Sequence, residues 1–94
     1  MATAYIREYA DIDGAPVEPA LADQTVSTSG TSAQSSAFNA STAFIAISTP
    51  AAQAVSCLFA LSPTATTSKL RLPANSVFWF RVTPGHKVAL IDVT

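Results

Sequence analysis

Prolines at positions 50, 63, 73 and 84 stand 13, 10 and 11 residues apart, and this spacing constrains the fold more than any other feature of the chain. Proline removes a backbone donor and breaks a helix interior, so no long helix fits between successive prolines. The intervening pieces are rich in Val, Ile, Phe and Thr, side chains that suit a pleated, half-buried surface. They read as short β-strands separated by turns. A single turn of helix after Pro50, over Ala51 to Ala54, is the only helical alternative with any support.

Alternation gives the faces. Val55, Cys57, Phe59 and Leu61 share one parity, and Ser56, Leu58 and Ala60 share the other, so the heavier set is predicted to face the core. Phe44 to Ile47 reads as a strand buried on both faces. Thr25 to Ser29 and Ser35 to Phe38 are weaker strands divided by Gly30, and Lys69 to Leu72 is a short one ended by Pro73. The strongest hairpin signal joins Val77–Val82 to Lys87–Val93 through Thr83-Pro84-Gly85-His86. There proline presets φ at the second turn position, and glycine supplies φ > 0 at the third. Six to eight short strands in 94 residues predict an all-β chain, a small antiparallel β-sandwich or jelly roll.

The first 23 residues have a different character. Thr3 to Tyr9 alternates, with Tyr5, Arg7 and Tyr9 on one side and Ala4, Ile6 and Glu8 on the other. Asp13-Gly14, Pro16 and Pro19 then interrupt regular pairing. The expected organisation is an extended N-terminal arm over residues 1–23 and a β-sandwich domain over residues 24–94. An arm of this kind can add a strand to the sheet edge of another copy or partner. The alternative is that residues 3–9 form an edge strand of their own domain, since consecutive strands usually pair locally.

Composition then narrows the function. At 94 residues and 49% hydrophobic content the chain folds as one domain. Folding at this size buries only roughly 60–65% of the unfolded surface, so self-association would relieve a marginal core. Between Asp23 and Lys69 no side chain is charged, and that stretch is dense in Ser and Thr. A hydroxyl-coated surface without interspersed charge tolerates close approach by other protein. Glu8, Asp11, Asp13, Glu18 and Asp23 lie in the first quarter, and Lys69, Arg71, Arg81 and Lys87 in the last. Attraction between the two groups orients more than it stabilises. A net charge of −1 argues against nucleic acid as a partner, which needs several phosphates neutralised.

Neither a catalytic nor a metal-binding constellation is legible, so no enzyme activity and no cofactor are expected. Cys57 is the single cysteine and His86 the single histidine; the first reads as a buried, inert thiol and the second as an exposed turn residue. Gly14, Gly30 and Gly85 are isolated and form no phosphate loop. The N-terminal segment lacks a basic region followed by an apolar run, and no apolar stretch is long enough to span a bilayer, so assembly in a cytoplasm without membrane contact is expected. The Asn39-Ala-Ser41 sequon is then a chance match.

The candidate contact residues are Tyr5, Ile6, Arg7 and Tyr9 on the arm, and Trp79 with Arg81 on the strand Val77–Val82. On that strand Phe78, Phe80 and Val82 point one way, and Val77, Trp79 and Arg81 the other. Tryptophan beside arginine is the composition of a binding hot spot. The same indole can stack on a sugar ring, or it can fill a second core layer.

The run from Gln24 through Gly30 and Gln34 to Ile47, with its Ser36-Ala-Phe38-Asn-Ala-Ser-Thr-Ala-Phe44-Ile segment, is followed by Pro63-Thr-Ala-Thr66, Leu70-Arg-Leu-Pro-Ala-Asn75 and the closing segment Val77–Val93. This series resembles small structural proteins of tailed bacteriophages. The resemblance implies a virion component, a capsid decoration or cement protein on the capsid exterior. Its partners would be the major capsid protein and further copies of itself, as a homotrimer or homodimer. The mechanism it suggests is bridging of neighbouring capsid subunits. Two other classes remain: a fibre- or baseplate-associated β-sandwich module that binds carbohydrate or a host receptor, and a tail-tube or connector subunit.

Overall fold

A computed structural model describes residues 2–10 and 20–93 of the chain. It is an all-β sandwich of eight strands: β1 (Ala2–Tyr9), β2 (Ala22–Thr28), β3 (Ala33–Gln34), β4 (Phe44–Ser48), β5 (Ala54–Ala60), β6 (Leu70–Leu72), β7 (Val77–Arg81) and β8 (Lys87–Val93). They form two antiparallel four-stranded sheets, ordered β2-β1-β4-β7 and β3-β8-β5-β6. No helix occurs among the described residues.

The core is made by the inner faces of the two sheets. Ala4, Ile6, Val26, Ile45 and Ile47 of the first sheet cluster with Val55, Cys57, Leu72, Val88 and Leu90 of the second, and Phe38 joins them from the β3–β4 connection. Most of these residues are β-branched or Leu, which fill a pleated interface in few rotamers. Ile45, Ala46 and Ile47 are all buried, as the continuous apolar run of β4 predicts. The parity expected for β7 holds, with Phe78, Phe80 and Val82 packed against the core, and that for β5 holds for Val55, Cys57 and Phe59; Leu61, expected on the same face, lies beyond the end of β5 and is 69% exposed.

Three expectations are overturned. Residues 2–9 are neither an arm nor an edge strand but an interior strand. β1 pairs with β2 from Ala2↔Thr28 to Glu8↔Ala22, and with β4 from Tyr5↔Ser48 to Tyr9↔Phe44. From Tyr5 to Glu8 the strand is paired on both sides within the domain, and Ala2 to Ala4 are paired with β2, so the segment is held in its own sheet and is not free to join a neighbour. β2, starting at Ala22, runs through the proposed boundary at residues 23/24. The turn signals Asp13-Gly14, Pro16 and Pro19, and the acidic residues Asp11, Asp13 and Glu18, lie outside the described residues.

The second correction concerns Val77–Val93. The predicted turn forms: Gly85 has φ 82°, and His86 N–H donates to the Thr83 carbonyl at 3.1 Å. The flanking strands, however, belong to different sheets, with β7 on β4 and β8 between β3 and β5. Phe38 supplies a physical reason. Its N–H donates to the His86 carbonyl at 2.8 Å, and its carbonyl accepts from Gly85 N–H at 3.2 Å. The Phe38 backbone thereby occupies groups at the turn, and the strands leave it for separate layers. The Ser35–Phe38 strand is likewise displaced: β3 covers only Ala33–Gln34, although Ser35 N–H still reaches the Val88 carbonyl at 2.8 Å.

Candidate protein-interaction surface

Pairing in the first sheet lines up the outward residues of four strands into rows. One row is Asp23, Arg7, Ala46 and Trp79; the next is Thr25, Tyr5, Ser48 and Val77; a third carries Tyr9, Phe44 and Arg81. The small side chain of Ala46 lies between Arg7 and Trp79. Trp79 leans onto Tyr9, with ring centroids 5.5 Å apart and planes inclined by 36°. The Arg7 guanidinium stands 6.0 Å from the Tyr9 ring centroid, and that of Arg81 stands 5.9 Å from the Phe44 ring. These distances fall within cation–π range. Arg7 Nε also donates to Asp23 Oδ1 at 2.7 Å.

The surface is aromatic and largely open. Tyr5 and Val77 are each 57% exposed, Trp79 45% and Leu21 43%. A shallow groove of about 400 Å³ runs over the β1–β2 pair, lined by Tyr5, Ile6, Arg7, Asp23, Gln24 and Thr25. Of the six residues singled out from sequence, Tyr5, Arg7, Tyr9, Trp79 and Arg81 lie on this side of the sheet, but Tyr9 is only 4% exposed and lies beneath Trp79 instead of facing solvent. Ile6 is not on this side: it is 0% exposed in the core on the opposite side of β1, as its alternation with Tyr5 and Arg7 requires. Trp79 is therefore an outward residue and not part of a second core layer.

Sequence reasoning missed Val77, Phe44 and Leu21. Val77 was available from its shared parity with Trp79. Phe44 joins the face only through the register of β4 against β1 and β7, which no local pattern encodes. Asp23, placed by sequence among acids facing a basic C-terminal region, instead pairs with Arg7 from its own quarter of the chain.

Glu8 is the other residue whose role was not legible. It points inward and is 2% exposed. Its Oε1 accepts from the Asn39 N–H and the Thr42 hydroxyl, both at 2.8 Å, and its Oε2 accepts from Gln24 Nε2 at 3.1 Å. Gln24 in turn accepts the Ser36 N–H at 2.8 Å. A buried carboxylate is tolerable only when its lone pairs are met in this way. The network ties the β3–β4 connection to the first two strands, behind the exposed face.

Burial pushes the Cys57 thiol up to about 11, far from the thiolate form that nucleophilic or metal chemistry needs. His86 is half-buried at its turn. Among the described residues no group of three or more His, Cys, Asp or Glu is placed to hold a metal ion. The arrangement on the first sheet is suited to contact through aromatic rings and guanidinium groups. No protein-family model matches the chain, and neither a curated protein nor a solved structure matches it.

Proposed function

We propose that this protein is a non-enzymatic structural protein of a virion, one that decorates a phage capsid and stabilises it by bridging neighbouring capsid subunits. The observation that carries the docking part of this reading is the outer face of the first sheet, which no described residue covers and on which Tyr5 on β1 and Val77 and Trp79 on β7 are exposed, with Ser48 of β4 between Tyr5 and Val77. Aromatic and arginine side chains on a firm sheet lose little conformational freedom on binding and are typical anchors of protein interfaces. The particular partner, the major capsid protein on the exterior of the shell, comes from the resemblance of residues 24–93 to tailed-phage structural proteins. Many copies on a symmetric lattice add avidity, so each contact can remain modest.

The mechanism differs from arm exchange. With β1 held inside its own sheet, the contact is made by a face, and Ile6 supports that face from the core without touching the partner. The test is co-sedimentation of a Tyr5→Ala/Trp79→Ala variant with empty expanded capsids of its virion. The expected result is loss of binding by a protein whose circular dichroism matches the wild type. Undiminished capsid binding would overturn the reading.

A second reading rests on Trp79 itself, a half-exposed indole flanked in its sheet by arginines. Such a ring can stack on a sugar, as in a fibre- or baseplate-associated module that binds carbohydrate or a host receptor. Glycan binding abolished by Trp79→Ala, with capsid association intact, would favour it.

A further inference from the structure

The sandwich has four edge strands, and three of them are blunted. β3 is two residues long, and β6 is three residues long, carries Arg71 and is bounded by Lys69 and Pro73. β2 carries Asp23, and its Gln24 side chain bonds both the N–H and the carbonyl of Ser36 at 2.8 and 3.4 Å, holding the β3 segment alongside. Short length, charge, proline and coverage are the usual ways in which an edge avoids pairing with another chain. β7 has five residues, no proline and one charge, Arg81.

The direction of its main-chain groups is fixed by two bonds to the β4 side. Val82 N–H donates to the Ala43 carbonyl at 2.8 Å, and the Ser76 carbonyl accepts from Thr49 N–H at 2.9 Å. Ser76, Phe78, Phe80 and Val82 therefore turn their main chain toward β4, and Val77, Trp79 and Arg81 turn theirs to the open edge. Among the described residues no backbone group bonds to that open row. The flank beside it is apolar. Phe80 packs on Phe59 at 5.0 Å, Phe78 and Phe80 are only partly buried, and Leu70 on β6 is 53% exposed.

We propose that β7 is a dimerisation edge whose occupant is β7 of a second copy, paired antiparallel about a two-fold axis at Trp79. In this register Trp79 faces Trp79, Phe78 faces Phe80, and Val77 faces Arg81 of the other chain. The three edge-directed residues of each copy then exchange hydrogen bonds along the whole strand. The one charge of the strand meets Val77 instead of another arginine, so no like charges stand opposite. A five-residue ladder falls short of the roughly 800 Å² per partner of a standard interface, and the Phe59, Leu70, Phe78 and Phe80 flank supplies further apolar area. The product is one eight-stranded sheet with the two aromatic outer faces side by side. This inference stands on the edge alone and holds whatever the outer face docks on.

The test is sedimentation equilibrium of the purified full chain, with circular dichroism as the control for folding. Wild type is expected to be a dimer. Val77→Lys places a lysine opposite Arg81 twice per dimer and should raise the dissociation constant at least about tenfold. Val77→Glu should lower it, and Val77→Lys/Arg81→Glu should restore association by reversing the pair. If Val77→Lys disturbs the fold, Val77→Glu decides, since it changes the same exposed position with the opposite sign. A wild-type monomer at all concentrations, a trimer, or a dimer that is indifferent to these charges would overturn the proposal.

Discussion

The outer side of the β3-β8-β5-β6 sheet is closed over by its own chain. The segment from Leu61 to Lys69 crosses it, held where Gln34 Nε2 donates to the Pro63 carbonyl at 2.7 Å and Ala65 N–H donates to Ser32 Oγ at 2.8 Å. Ser56 and Ala89, which point outward from this sheet, are fully buried as a result. The β2-β1-β4-β7 sheet has no such cover among the described residues, and it presents Tyr5, Val77 and Trp79. Both sheets supply the same kind of inner face, Val, Ile and Leu against one another. Their outer faces differ: one is covered by the chain's own Leu61–Lys69 segment, and the other has no cover among the described residues. The covered side is sealed with small residues and hydroxyls; the open side carries the large aromatics, which are costly to leave in water without a use.

The largest test of this division is removal of residues 2–9. Had they been an arm, a folded sandwich would remain. As the interior strand of the open sheet, β1 holds β2 and β4 together and contributes Ala4, Ile6 and Glu8 to the buried side. The truncated chain is expected to lose cooperative unfolding altogether, which a thermal melt followed by circular dichroism checks. A sharp transition in the truncated protein would return the arm to consideration.

Next in size is a charge placed beneath the cover. Ala89 is 0% exposed, between Leu58 and Gln34 in the sheet register. Ala89→Lys buries an ammonium with no partner and should cost about 3 kcal/mol in urea unfolding. A change smaller than about 0.5 kcal/mol would mean that the Leu61–Lys69 segment lifts away easily, and the two outer faces would then differ less than their burial indicates.

Glu8→Ala should follow at about 2 kcal/mol, because it strands the Asn39 N–H and the Thr42 hydroxyl. For a domain of this size that lowers the melting temperature by roughly 10 °C. This acid marks the limit of what was legible in the chain. Its place on the side of β1 opposite Tyr5 and Arg7 was visible in the alternation, as were the two-faced burial of β4 and the turn at Pro84-Gly85; the parity of Trp79 was visible too, but not whether its side was open or covered. Each of these is encoded within a few residues. The partners of Glu8 come from 31 and 34 residues further along, and without them an acid near the N-terminus reads as a solvated charge. The separation of β7 from β8 was hidden for the same reason. A turn motif specifies its own four residues, whereas the divergence of the strands depends on Phe38, far from that turn in sequence.

The smallest effect expected is the mirror image of Ala89→Lys. Tyr5→Lys introduces the same charge on the open face, at a position 57% exposed between Thr25 and Ser48. Its ammonium stays in water, so stability should change by no more than about 0.5 kcal/mol. Its effect should instead be on association with a partner, because a lysine in the centre of an aromatic contact must be desolvated when the surfaces meet. Urea unfolding and capsid co-sedimentation of the one variant separate these two quantities. If Tyr5→Lys unfolds the protein as readily as Ala89→Lys does, the ring is structural and the open face is a second core surface; if it leaves the fold intact and weakens capsid binding, the ring serves the contact.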